Sequence, residues 1–174
     1  MEIRSATLQD AAGIAKVHVD SWRTTYRGII PQNFLDNLSY EQRTKLWQKN
    51  IADSNGAIFV AVNNANEIIG FVVGEKRETN LELNASDLSA IYLLEQWQGN
   101  GVGRLLLNAV MQSFKEKGFQ KIYVEVLAEN KTRHFYEYYG AEYVKTVQLK
   151  FDGKVVDEDI YVWNDIDAVL SKLQ

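Results

Sequence analysis

The sequence predicts an α/β domain in which one mixed β-sheet of about seven strands is flanked by about four helices. Short runs rich in β-branched residues alternate with longer runs of helical periodicity, in the order strand, two helices, three strands, helix, strand, helix, two strands. One sheet with helices on its faces is the economical packing for this order. The chain has 174 residues, no internal repeat and only one proline, so residues 1–174 are predicted to form one domain.

The first part of the chain reads as one strand followed by two helices. The run "IRSA" has the composition of a short strand, and Thr7 with Asp10 forms a capping-box pattern that signals a helix start. The first helix is predicted over "AAGIAKVHVDSWRTTY", and "RGIIPQNF" interrupts it. Ser39 and Gln42 form a second capping box, which opens a helix through about Ile51.

The remainder alternates strands and helices. The runs "AIFVAV" and "EIIGFVVGEKR" read as strands around the turn "NNAN", and "DLSAIYLL" reads as the fourth strand. A long helix then ends at Gly118, and "KIYVEVL" is the fifth strand. A short helix is predicted to open with Asn130 as its N-cap and to close at Gly140. The tail predicts a hairpin around Asp152-Gly153.

Composition and charge exclude several classes of function. The net charge is −4 and the pI about 5.3, with no cluster of Lys and Arg, so we expect no nucleic-acid partner. The first residues lack the apolar core of a signal peptide, and no apolar run approaches the ~20 residues that span a bilayer, so we expect no membrane partner and a cytoplasmic protein. The chain has no cysteine, which excludes disulfides and a cysteine nucleophile.

Three glycines, Gly99, Gly101 and Gly103, lie between the fourth strand and the long helix. Glycines at such a junction let backbone N–H groups approach a phosphate, and the helix N-terminus adds partial positive charge. The P-loop pattern is excluded, because Arg104 and Leu105 follow where Lys and Ser or Thr are required. The dinucleotide pattern is excluded because Arg104 occupies its third glycine position.

The pattern that remains, Gln98-x-x-Gly101-x-Gly103, resembles the phosphate-binding signature of the GNAT acyl-CoA N-acetyltransferase superfamily, Arg/Gln-x-x-Gly-x-Gly/Ala. The downstream "VLAENKTRHFYEYYGAEYV" is similar to the second signature of that family, with Asn130, Phe135, Tyr136 and Gly140 in matching places. The resemblance covers nearly the whole chain. It implies acetyl-CoA or coenzyme A as cosubstrate, no metal, and a small-molecule or peptide amine as acceptor.

The resemblance also implies which residues bind the cofactor. The pyrophosphate is expected at the glycine segment, the pantetheine arm along the backbone of the fourth strand where the fourth and fifth strands splay apart, and further contacts at the second signature. The expected cofactor-binding residues are Ile91, Tyr92, Leu93, Gln98, Gly99, Asn100, Gly101, Val102, Gly103, Arg104, Asn130, Arg133 and Phe135. Arg133 replaces the small residue common in the family, so it either adds a cation near the cofactor or points to solvent.

The chemistry requires an amine that loses a proton, an N–H donor for the oxyanion and a proton donor near the departing thiolate. Tyr136 is the candidate general acid through the family resemblance; its alternative is a core tyrosine. Glu125, Asp87 and Glu75 are candidate bases, each with a solvated or paired carboxylate as its alternative, and a water chain is a further alternative. Ser89 stands near where some members of the family carry a glutamate base, so no side chain is assigned as the base.

The acceptor side is less determined. Trp22 and Tyr26, at i and i+4, share a helical face and are expected either to line the substrate pocket or to pack on the sheet. The acidic run 157–159 is either a solvated strand end or a border of the acceptor entrance that favours cationic amines such as polyamines. His18 and His134 have no metal-ligand partner at useful spacing.

The predicted function is transfer of the acetyl group of acetyl-CoA to a primary amine through a tetrahedral intermediate. A non-catalytic acyl-CoA sensor or partner-binding module of the same fold is the alternative. The apolar terminal hairpin predicts a possible homodimer.

Overall fold

The computed structural model describes residues 1–53 and 57–174. Over these residues it contains seven β-strands in one sheet and six α-helices, which confirms the predicted mixed fold class. The strands are β1 (Glu2–Ser5), β2 (Ala57–Val62), β3 (Ile68–Gly74), β4 (Ala85–Leu93), β5 (Lys121–Leu127), β6 (Glu142–Phe151) and β7 (Lys154–Trp163). The helices are α1 (Ala11–Thr25), α2 (Gln32–Asp36), α3 (Tyr40–Ala52), α4 (Val102–Glu116), α5 (Arg133–Tyr138) and α6 (Ile166–Leu173).

Local sequence chemistry fixes most of these boundaries. The Asp10 carboxylate accepts a hydrogen bond from the Thr7 backbone N–H (2.8 Å), and the Ser39 hydroxyl accepts one from the Gln42 N–H (3.2 Å), as the capping patterns predict. A 3₁₀ turn at Leu8–Asp10 precedes α1. The hairpin between β6 and β7 turns at Asp152 and Gly153, both with positive φ, which is the type I′ geometry that the Asp-Gly pair favours.

Two helices and one cap differ from the sequence prediction. The short α2, which follows Pro31, and the terminal α6 were not predicted. The apolar spacing Ile166, Val169, Leu170 and Leu173 behind the N-cap Asp165 was the signal for α6. Asn130 is not the N-cap of α5: its Oδ1 accepts from the Thr132 N–H two residues on (3.0 Å), an Asx turn, and Thr132 is the N-cap.

The sheet has the order β1-β2-β3-β4-β5-β7-β6 and is antiparallel except between β4 and β5. Parallel neighbours need a crossover, and α4 supplies it. The face that carries α4 and α6 is packed with apolar side chains such as Leu106, Met111 and Trp163. The opposite face packs against α1 and α3. Both faces are therefore covered, and access to the middle of the sheet is through its strand ends.

None of the helices within residues 1–53 and 57–174 is long and apolar enough to cross a membrane.

Candidate active site

The site is built where the two parallel strands separate. Pairing between β4 and β5 runs from Ala85↔Lys121 to Leu88↔Val124 and stops there, although β4 continues to Leu93 and β5 to Leu127. Beyond that point β4 stays hydrogen-bonded to β3 and β5 to β7. The gap between them is the mouth of a cleft of about 870 Å³. The facing backbone edges of the two strands thus lack their sheet neighbour over several residues.

A β-bulge in β4 determines which of its side chains point to the α4 layer and which point to the α1 layer. Val73 pairs with Ala90 but Gly74 pairs with Leu88, so Ser89 is one extra residue in β4. After the bulge, Ile91 packs with the α4 layer and Tyr92 with the α1 layer. Ser89 lines the cleft but has no carboxylate, so β4 supplies no side chain at the bulge that could act as a general base.

The glycine segment forms the other wall of the cleft at the start of α4. Gly99 and Gly101 have φ of +75° and +78°, and a Cβ added to either would meet no atom within 4 Å. Gly101 is the N-cap of α4, so the N–H groups of the first turn have no partner within the helix. Non-glycine residues rarely adopt this left-handed conformation. The two glycines therefore hold an open turn in front of a helix N-terminus.

Most residues expected from the sequence line one continuous cleft. Those that line it are Ile91, Tyr92, Leu93, Gln98, Gly99, Gly101, Gly103, Arg104, Asn130, Phe135, Tyr136, Trp22 and Tyr26. Three do not. Val102 is buried in the core, the Asn100 amide donates to the Gln98 carbonyl (3.2 Å), and Arg133 faces the buried Asp159 carboxylate at 3.7 Å. Arg133 is thus neither beside the cleft nor simply solvated, because the charge of Asp159 attracts it.

Tyr136 lies in α5 where that helix meets the cleft. Its side chain is buried, its ring packs edge-on against Trp163 with centroids 5.7 Å apart, and it lines the cleft. Burial, with a smaller contribution from Tyr26, raises the pKa of the Tyr136 hydroxyl well above its ordinary value. The phenol therefore stays protonated and is a hydrogen-bond donor at every physiological pH. The packing role and the cleft position coexist in this residue.

Aromatic side chains form the cleft wall on the α1 side. The Tyr26 and Tyr92 hydroxyls share a hydrogen bond of 2.9 Å, and the Trp22 ring lies edge-on to Tyr26 with centroids 4.8 Å apart. Phe151, at the end of β6, completes this wall at 6.3 Å from Trp22. Burial raises the pKa of both tyrosines. Trp22 and Tyr26 therefore line the cleft and pack on the sheet at once.

The three candidate bases occupy different surroundings. Glu125 lines the cleft and forms an ion pair with Arg77. Asp87 is buried, and its Oδ2 accepts hydrogen bonds from the Arg77 N–H and the Asn80 amide, both at 3.0 Å. Glu75 is exposed and does not line the cleft. Of these three candidate bases, only Glu125 lines the cleft, where a substrate could reach it.

One carboxylate of the acidic run 157–159 reaches the cleft. Glu158 lines it and is half-buried, whereas Asp157 is exposed and Asp159 is bound by Thr146 Oγ1 (2.6 Å). Burial, followed by repulsion from Glu125, raises the pKa of Glu158. The sequence prediction missed Glu158, Arg77 and Phe151 as individual cleft residues. Successive side chains of β7 point to opposite faces of the sheet, so the sequence places Glu158 on the face opposite to Asp157 and Asp159. Which of the two faces borders the cleft is visible only in the structure.

The two histidines have no role in the cleft wall. His18 accepts a hydrogen bond from the Trp47 indole at Nδ1 (3.1 Å), and burial with the nearby Arg43 charge lowers its pKa to about 4. His134 contacts the carboxylate of Glu137 on the exposed side of α5. No group of three or more His, Asp or Glu side chains able to hold a metal occurs in residues 1–53 and 57–174.

The comparison with known families decides the classification. Residues 18–141 match the family model of the acetyltransferase (GNAT) family. The chain belongs to this family. It is accordingly an acyl-CoA-dependent N-acetyltransferase, with acetyl-CoA as its cosubstrate.

Individual relatives agree. The chain is 35% identical over 98% of its length, and 97% of the relative's, to the uncharacterized N-acetyltransferase YuaI of Bacillus subtilis. It is 30% identical over 76% of its length, and 79% of the relative's, to the aminoglycoside N(6′)-acetyltransferase type 1 of Stenotrophomonas maltophilia. The crystal structure of the PaiA N-acetyltransferase of Thermoplasma acidophilum in complex with coenzyme A has the same fold. Its TM-score is 0.65 at 20% identity, over 91% of this chain and 96% of that one.

Proposed function

We propose that this acetyltransferase transfers the acetyl group to a primary amine by direct attack of the amine on the thioester. The observation that carries the proposal is one cleft that runs between the separated strands β4 and β5. One end of it is the open glycine turn at the N-terminus of α4. The other end, here called the acceptor chamber, is lined by Trp22, Tyr26, Tyr92, Phe151, Glu125 and Glu158. A nucleotide thioester and an amine enter such a cleft from opposite ends. The aminoglycoside-acetylating relative, whose name describes transfer to an amino group, supports an amine acceptor.

The glycine turn binds the pyrophosphate in this proposal. The N–H groups of the first turn of α4 point out of the helix, and two diphosphate charges are favoured at its positive end. The Cβ positions of Gly99 and Gly101 are open, which leaves room for a phosphate close to the backbone. The Gln98 side chain closes the turn by donating to the Leu93 carbonyl at 3.3 Å.

The unpaired edge of β4 binds the pantetheine arm. After the bulge at Ser89, the backbone of Ile91 to Leu93 is paired with β3 on one side and has no β5 partner among the described strand pairs on the other. The backbone groups that face the gap are therefore available to a ligand that takes the place of a strand. A backbone N–H of this segment is also the proposed donor to the oxyanion of the tetrahedral intermediate.

Tyr136 stabilises the departing thiolate. An ordinary thiol has a pKa near ~8.5, and burial raises the pKa of the phenol above its ordinary value near ~10, so complete proton transfer from Tyr136 is uphill. In this proposal Tyr136 is therefore a hydrogen-bond donor to the thiolate and not the general acid that the sequence predicted. A hydrogen bond from the neutral phenol to the thiolate is favourable, and the proton released by the attacking amine supplies the final thiol. No side chain is assigned as base. Glu125, which is held by Arg77, and a water chain both remain candidates.

The test compares Tyr136→Phe with Tyr138→Phe. Phenylalanine keeps the ring that packs on Trp163, and Tyr138, which is exposed on the same helix, gives the matched loss of a hydroxyl. Loss of one donor to developing charge lowers the chemical step by about 10²–10³-fold, so the single-turnover rate of thiol release should fall by that factor in Tyr136→Phe alone. Acetyl-CoA affinity should stay within a few-fold. An unchanged single-turnover rate would make Tyr136 a packing residue.

We also propose that two copies pair through β6. It is one of the two edge strands of the sheet, the other being β1, and Tyr143 and Val144 are exposed on it. An uncovered edge strand with apolar side chains is a template for pairing with another chain. The cytoplasmic location stays a prediction from the sequence.

A further inference from the structure

Among the described residues, one half-buried carboxylate of the cleft, Glu158, has no ion-pair partner. Three carboxylates line the cleft: Glu125 and Glu158 are half-buried, and Glu129 is exposed to solvent. Arg77 forms an ion pair with Glu125. Arg77 acts on Glu158 only as a more distant charge. Of the remaining cations of the cleft, Arg27 and Lys131 are exposed, and Arg104 donates to the carbonyl of Leu173. A half-buried anion without a cation is costly unless a ligand supplies the charge.

The strand register puts Glu158 beside Glu125 on one face of the sheet. Glu158 pairs with Leu127, and Glu125 pairs with Ile160, so the two carboxylates are diagonal neighbours on β5 and β7. Their side chains point to the α1 layer, where Leu127 packs with Trp22 and Tyr26. The charge of Glu158 also raises the pKa of the Tyr26 hydroxyl, which places the carboxylate within electrostatic reach of that aromatic wall.

The other wall of this chamber is apolar and aromatic. Trp22, Tyr26, Tyr92 and Phe151 line it, and the first three contact one another. Aromatic faces attract a cation and give an apolar body a large contact area. Glu158, the half-buried carboxylate without an ion pair, matches one positive charge, whereas Glu129 is exposed and solvated by water. A polycation would bring a further ammonium group towards the like charge of Arg77, which lines the same cleft and is paired with Glu125.

We propose that Glu158 is the anionic contact for the acceptor's ammonium group, and that the acceptor is a primary amine with a single positive charge and an apolar or aromatic body. This inference rests on the proposed function and names its substrate class. Glu158 binds the cation, and the aromatic side chains bind the body. Recognition is therefore by charge at one end of the acceptor and by apolar contact at the other.

The test uses direct binding rather than turnover. The probe is 2-phenylethylamine, which is protonated at neutral pH, titrated by calorimetry into the protein saturated with coenzyme A; 2-phenylethanol is its uncharged counterpart. The variants are Glu158→Gln and, as a matched control, Asp157→Asn. Asp157 precedes Glu158 on the opposite face of β7, is exposed and lies outside the cleft. The substitution Asp157→Asn therefore removes one negative charge without changing the chamber.

We expect the amine to bind wild type and Asp157→Asn alike, and Glu158→Gln about 10- to 100-fold more weakly, because a hydrogen bond to a charged group is lost. The alcohol should bind all three proteins equally. Equal affinity of Glu158→Gln and wild type for the amine, or wild type that prefers spermidine to 2-phenylethylamine, overturns the inference. Failure of the proposed function is a separate result: wild type that binds the amine through Glu158 but releases no thiol from acetyl-CoA with any amine.

Discussion

Replacing Gly101 with alanine separates the role of the glycine turn in folding from its role in binding. Gly101 has φ +78° at the N-terminus of α4, and Gly118 has φ +83° beyond the C-terminus of the same helix. A Cβ at either position meets no protein atom within 4 Å. The two substitutions thus impose the same kind of backbone strain without a clash. Only Gly101 lies in the cleft.

The size of both effects follows from the structure. A non-glycine residue in the left-handed region costs about 1–2 kcal/mol, so each variant should lose that much free energy of unfolding, about 2–8 °C in Tm for a chain of this size. A phosphate that approaches the turn meets the new Cβ at Gly101 and loses at least one charge-assisted hydrogen bond, worth about 1.5–3 kcal/mol. The Kd for acetyl-CoA should therefore rise about 10- to 150-fold in Gly101→Ala and stay unchanged in Gly118→Ala.

Calorimetric titration with acetyl-CoA and thermal unfolding of the free proteins measure the two quantities separately. If Gly101→Ala binds acetyl-CoA within threefold of wild type, the pyrophosphate does not lie on this turn. If Gly118→Ala loses binding equally, the effect of the first variant is general destabilisation, and the reasoning from local approach fails. Gly101→Val is a poorer choice, because a β-branched residue is especially strained at positive φ.

Two further predictions concern stability and assembly. His18 has a pKa of about 4 in the fold against about 6.5 for an ordinary histidine, so the unfolded chain binds the extra proton first. The free energy of unfolding therefore falls as the pH drops from 6.5 towards 4, by about 2 kcal/mol at pH 5. His18→Asn, which keeps an acceptor for the Trp47 indole, should remove this part of the acid dependence of urea unfolding; an unaltered pH profile would contradict it. Pairing through β6 predicts a dimer by light scattering at micromolar concentration, converted to monomer by Val144→Lys on the exposed edge, and a wild-type monomer would exclude it.

The helix boundaries were predictable wherever a local interaction fixes them. Ser39 and Gln42 lie three residues apart and bond within one turn, so their pattern in the sequence is sufficient to locate the start of α3. The Asp152-Gly153 turn is likewise a two-residue property. α2 has only five residues and too few positions to show a period, and Asn130 was assigned as a cap although its side chain bonds two residues on.

The sequence by itself determined the α/β class, the succession of the seven strands along the chain and the glycine turn, because periodicity, caps and positive-φ glycines act over a few neighbouring residues. The resemblance already implied that the fourth and fifth strands splay apart, and only the tertiary structure decided that they separate after Leu88 and Val124. It alone also decided that Arg133 faces Asp159, and that Glu125 is held by Arg77 while Glu158 is not. These facts depend on which residues distant in the chain become neighbours across the sheet. Pairing of that kind is set by the packing of both layers against the sheet, and no short stretch of sequence encodes it.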